Sequence, residues 1–133
     1  MKLSQLLLAA FLSVALPAIA AESRVEDVAA RASLQAAMQT YIDRVLVDDA
    51  FLDLSPQTGT IRKLHPATAH PVIMRMGKYF ILCADFRDAE GRSVPVDFYL
   101  GRRDKGYAVF HAEVGNRGLI ERLAGEGKVS RFD

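Results

Sequence analysis

Cysteine is nearly absent from this chain: 133 residues contain one, Cys83. A single cysteine excludes an internal disulfide, so the fold must be held by its hydrophobic core. An excess of one charge sign is lacking as well. Lysine and arginine total 17 and aspartate and glutamate 16, and without Lys2 the balance is zero. That balance argues against nucleic acid or an anionic membrane as the main partner, because both reward a basic excess. After the first 20 residues there is no apolar run long enough to span a bilayer. Internal repeats, low-complexity tracts and interdomain linkers are missing. So are C-x-x-C, H-E-x-x-H, a close histidine pair on a helix and a glycine-rich phosphate loop.

What is present begins with an export signal. Met1-Lys2 is a short basic start, Leu6 to Leu16 is almost wholly apolar, and Pro17 precedes Ala18-Ile19-Ala20. This pattern reads as a Sec-type signal peptide over residues 1–20, cleaved after Ala20, and predicts a periplasmic or secreted protein. No cysteine near the cleavage point indicates lipid attachment. Residues 21–133 then form a single domain with a modest core and no stable membrane insertion after cleavage.

The centre of that domain is the stretch from Met76 to Gly115. It reads as three antiparallel strands: about Lys78 to Arg87, Ser93 to Arg102 and Tyr107 to Val114. The connections Asp88-Ala89-Glu90-Gly91 and Arg103-Asp104-Lys105-Gly106 each end in glycine, as in a type I turn followed by a left-handed bulge residue. Such turns set Asp88 opposite Arg92 and Arg103 opposite Tyr107. They pair Phe86 with Val94, Ala84 with Val96, Leu82 with Phe98 and Phe80 with Leu100. On the other side, Leu100 meets Phe110, Phe98 meets Ala112 and Val96 meets Val114. Every one of these residues is apolar, and a slip of one position would lose the pattern.

The opposite face of the meander is mixed. It carries Tyr79, Ile81, Cys83, Asp85, Asp97, Tyr99, Val109, His111 and Glu113. The register sets Cys83, Asp97 and Glu113 in one row and Ile81, Tyr99 and His111 in the next.

Around the meander, Ser23-Arg24-Val25-Glu26 has the form of a capping box. It predicts a helix from about Arg24 to Val47 with an apolar stripe of Leu34, Met38, Tyr41, Ile42 and Val45. Val28, Ala29 and Ala32 extend the stripe, and Asp48-Asp49 ends the helix. Phe51 to Leu54 and Thr60 to His65 read as short paired strands. The two prolines of His65 to Pro71 predict an irregular loop, and Val72 to Met76 a further strand. Asn116 is placed to cap a short helix from Arg117 to Ala124, with Leu119, Ile120 and Leu123 inward and Gly125 closing it. Val129 and Phe132 can dock as a short edge strand.

The expected fold is α+β: a long N-terminal helix packed on a curved antiparallel sheet of four to five strands, with a short C-terminal helix. In outline this resembles cystatin-like and nuclear-transport-factor-like (NTF2-like) domains, a likeness of architecture that transfers no residue roles.

Chemistry concentrates on the mixed face. Asp97 and Glu113 face each other, and like charges so placed need compensation. Arg62, Lys63, Arg75 or Arg87 could reach over, a metal ion could be shared by Asp97, His111, Glu113 and Cys83, or a ligand's cationic group could dock there. The plainer account of Cys83 is a small half-buried apolar residue, and of His65 and His70 exposed loop residues. Cys83 with His111 and Asp97, or Tyr99 with Asp97 and His111, could also be drawn as acid–base or nucleophilic arrangements.

The leading expectation is a small exported binding or accessory protein rather than an enzyme. It would act on an envelope protein or a small ligand through Tyr79, Cys83, Asp85, Asp97, Tyr99, His111 and Glu113. A homodimer could use the same face, with residues 54–71 as the competing cover. No cofactor is expected. The alternatives are a divalent-metal accessory protein using Asp97, His111 and Glu113, and a small acid–base enzyme.

Overall fold

The computed structural model describes the backbone of residues 18–133 and the side chains from Glu22 onward. The apolar run of the expected signal peptide lies outside the described residues. The chain forms helix α1 (Ala18–Val45), strands β1 (Phe51–Leu54), β2 (Ile61–Met76), β3 (Tyr79–Arg87), β4 (Ser93–Arg103) and β5 (Gly106–Val114), helix α2 (Arg117–Gly125) and strand β6 (Ser130–Arg131). All strand pairs are antiparallel, in the order β1-β2-β3-β4-β5, with β6 also on β2. The architecture is α+β, as expected, with six strands rather than four to five.

Helix α1 covers one face of the sheet. Leu34, Met38 and Ile42 are buried on Phe80, Leu82, Ala84, Phe86, Val96, Phe98 and Leu100. Tyr41 meets the Phe98 ring edge-on at 5.9 Å. The helix begins earlier than its capping-box signal suggests, so Ser23 lies in its interior and is not its cap. Val28, Ala29 and Ala32 are exposed, and in this part of the helix Ala30 packs on the core instead. Asp48 and Asp49, with φ of 49° and 62°, end the helix in a tight left-handed turn closed by hydrogen bonds between Val47 and Ala50. Aspartate tolerates this conformation better than most side chains.

The register of β3 and β4 is as the first turn predicts, from Phe80 opposite Leu100 to Phe86 opposite Val94. Gly91 takes the left-handed position (φ 77°). Asp88 Oδ1 accepts hydrogen bonds from the backbone N–H groups of Glu90 and Arg92, and its Oδ2 accepts one from the Arg92 guanidinium at 2.7 Å.

The second turn departs from expectation. Arg103 faces Gly106 and Arg102 faces Tyr107, leaving a two-residue loop, Asp104-Lys105. Asp104 supplies the positive φ (34°) that a tight hairpin loop requires. A bulge at Phe110 then restores the predicted register, so Tyr99 faces His111 and Phe98 faces Ala112. The extra residue reverses which face each side chain meets. Val109 and Tyr107 turn to the helix-side core, while Phe110 turns outward, 59% exposed, against Tyr79 at 5.3 Å.

The stretch from His65 to Pro71 is not a loop but the middle of β2, with register shifts at Pro66/Thr68 and Ala69/Ile73. The prolines are tolerated because this is a sheet edge. β1 pairs with residues 61–64 and β6 with residues 74–75, and among the described residues nothing pairs with that edge between them. A residue without an N–H loses nothing there and discourages a foreign strand.

The far face of the sheet is covered by the chain's end, not by residues 54–71. After Gly115 the chain folds back, and Ile120, Leu119 and Leu123 of α2 pack with Val129 on Ile81, Tyr99, Met74 and Met76. The helix closes at Gly127 (φ 71°) rather than Gly125: Gly127 N–H reaches the Ala124 carbonyl and Lys128 N–H the Leu123 carbonyl. On either side of β6, Val129 and Phe132 join the two opposite cores. The sheet is therefore the middle layer of three.

Candidate functional site

α2 does not seal the outer face completely. Beside it remains a cavity of about 370 Å³, lined by His70, Val72 and Met74 of β2, Ile81, Cys83 and Asp85 of β3, Pro95 and Asp97 of β4, and Arg117 and Ile120 of α2. Its position follows from strand alternation. His70, Val72 and Met74 project to one side, as do Ile81, Cys83 and Asp85. The bulk of the walls is apolar, with two polar clusters set into them.

The first cluster is His70 and Asp85, joined Nε2 to Oδ2 at 3.0 Å, with both side chains partly exposed. The second is built around Asp97, only 1% exposed. Its Oδ1 accepts a hydrogen bond from the Arg117 guanidinium, which is itself half-exposed. No hydrogen bond of sound geometry reaches its Oδ2. Burial pushes the Asp97 carboxyl above the usual aspartate range, and Arg117 opposes that push. Cys83 lies next to it. Burial first, and the Asp97 charge second, push its thiol up to about 12. A thiol so held is protonated at neutral pH and a poor nucleophile.

Compensation of the Asp97/Glu113 pair thus comes from a residue that the sequence does not single out. Arg117 neutralises Asp97, whereas Arg62 is bound to Asp53 at 2.7 Å. Glu113 is served separately, by Asn116 Nδ2 at 2.8 Å and His111 Nε2 at 3.0 Å. These contacts hold the Glu113 carboxyl below its ordinary range. Asn116 stands at the N-cap position of α2 but makes no side-chain cap bond.

Of the expected site residues, the structure brings Cys83, Asp85 and Asp97 together in the cavity. Tyr99 lies in the same row as His111 and meets its ring at a tilt, 5.5 Å between centroids. It is buried beneath α2 with an unpartnered hydroxyl. Burial, then the charge of Asp97, raise that phenol above its usual range. Tyr79 is outside the cavity, with Phe110 on one side and Lys78 on the other. His111 and Glu113 pair with each other on β5, away from the lining. Among the described residues, no group of three or more histidines, cysteines and acids has the geometry to hold a metal ion.

His70 and Arg117 are the additions. His70 had a legible signal: His70, Val72 and Met74 alternate as a strand does, but the prolines disguise it. Arg117 had none, since only the return of α2 over the sheet brings it to Asp97. Comparison with known proteins returns no matching family, no similar curated protein and no similar solved structure.

Proposed function

We propose that this chain is a small exported binding protein that holds a compact ligand in the outer-face cavity beside α2. The observation that carries the reading is Asp97: a buried carboxylate with one oxygen unpartnered, in the wall of a largely apolar cavity. Buried polar atoms are normally satisfied, and an orphan at a cavity wall is where a ligand gains most by supplying the missing bond. At about 370 Å³ the cavity is at the small end of ligand pockets, so the ligand is compact. A flat protein interface is a poorer fit, because α2 already occupies much of the mixed face. A cysteine nucleophile is also a poor fit, given its protonated thiol. Export rests on the N-terminal pattern, and an envelope setting follows from it. A cystatin-like or NTF2-like outline remains part of this proposal, and we carry over no residue from either.

The test is a fragment screen by protein-observed NMR on the mature chain. Shifts concentrated on the amides of Cys83, Asp97 and Ile120 are expected. Shifts confined to the β1–β2 hairpin or to Phe110 would place binding elsewhere and overturn the cavity as the site.

A further inference from the structure

Resting on the cavity reading, we propose that its ligand is a monocationic amine with a compact apolar body, and that Asp97 Oδ2 accepts from its ammonium group. Three observations converge. The first is the vacancy in hydrogen bonding: Oδ1 is held by Arg117 and Oδ2 by nothing of sound geometry. The neighbouring Cys83 is a weak donor and does not replace a full N–H bond.

The second is the local charge. The charged side chains of the lining are Asp85, Asp97 and Arg117, the last bonded to Asp97, and its other titratable groups are the Cys83 thiol and His70, which pairs with Asp85. The two carboxylates exceed the one guanidinium by one negative charge. A monocation balances that charge, a neutral alcohol leaves it, and a carboxylate adds to it. Opposite charge is worth most where water is excluded, and Asp97 is 99% buried by its 1% exposure.

The third is the shape of the remaining surface. Val72, Met74, Ile81, Pro95 and Ile120 form an apolar wall that offers no polar partner to the rest of the ligand. A ligand charged at one end and apolar along its body matches both halves, as pocket recognition commonly works.

The experiment is calorimetric titration of the mature chain with three probes of one shape: phenethylamine, 2-phenylethanol and 3-phenylpropionate. Phenethylamine is expected to bind about tenfold or more tighter than the other two, the effect of a charge-assisted hydrogen bond. In Asp97→Asn that preference is expected to vanish, with phenethylamine falling to about the affinity of 2-phenylethanol. Preference for the alcohol or the propionate in the wild-type chain overturns the amine assignment and leaves the cavity reading standing. No binding by any of the three overturns both. An amine preference that survives Asp97→Asn overturns Asp97 as the acceptor. The wild-type comparison decides the ligand class even where the variant does not fold.

Discussion

Arg117 and Asp97 show how one side chain sets the cost of another. Arg117→Ala strips a buried carboxylate of its partner, and the expected loss is about 3 kcal/mol in urea denaturation. Adding Asp97→Asn to that variant should restore most of the loss, because the uncompensated charge is then gone. The pH dependence has a definite sign. The folded-state pKa of Asp97 is raised. Its contribution is therefore fully favourable below the unfolded aspartate value, about 3.9, and is lost as pH rises through the folded one. Asp88 and Glu113 run the other way. Burial works against ionisation of Asp88, but hydrogen bonds from Arg92 outweigh it and lower its pKa. Both carboxylates lend stability above their ordinary values that is lost as pH falls through their depressed ones. The stability of Asp97→Asn relative to wild type should thus be highest near neutral pH and fall toward pH 4, about where aspartate titrates. Thermal melts of the pair across that range check it. Tyr99→Phe removes a buried hydroxyl with no partner, so its stability should be unchanged or higher, by less than about 1 kcal/mol.

At the scale of elements, β4, like β2 and β3, contributes to both cores. Phe98 is fully buried toward α1, and its neighbour Tyr99 is 5% exposed beneath α2. Alanine at either position should cost about 3–5 kcal/mol, a range measured for large aromatic side chains in cores. Phe110, which the register drawn from sequence would put in the core, is expected to cost less than about 1 kcal/mol as alanine because it is largely exposed. Chemical denaturation of the three variants separates the two accounts of β5. A large loss at Phe110 would mean that the bulge is misplaced. The reason the bulge escapes a reading of the sequence is local. Arg103-Asp104-Lys105-Gly106 suits more than one turn, and the tighter loop plus a bulge gives the same distant pairing as the longer loop.

For the molecule as a whole, the three layers make the C-terminal segment a structural component of both cores rather than a tail. Phe132 packs on Phe80 at 5.2 Å and lies under the guanidinium groups of Arg31 and Arg75, tying β6 to the helix side. Val129, two residues before Arg131, seals the other side. The N-terminal end of α1 has no such role, with Val25 and Val28 exposed. Among the described residues no helix is long and apolar enough to cross a membrane. Cleavage after Ala20 would leave the sheet-bound part of α1 intact, since its first fully buried residue is Leu34. Intact mass and N-terminal sequencing of exported protein should find Ala21 first, and a chain retaining residues 1–20 would overturn the export reading.

Periodicity in the sequence determines the α1 stripe from Leu34 to Ile42, the apolar face of β3 and β4, and the rows that align Cys83 with Asp97 and Ile81 with Tyr99. Each of these follows from local geometry: 3.6 residues per helical turn, two per strand repeat, and glycine where a turn needs positive φ. Tertiary structure alone decides what covers the second face, because an amphipathic nine-residue helix can dock on any apolar surface within reach of its loop. It also decides that Arg117 meets Asp97, that His70 joins Asp85, and that His111 and Glu113 stay outside the cavity. Those contacts join residues far apart in the chain, and they depend on how α2 packs on the sheet and how β2 pairs with β3.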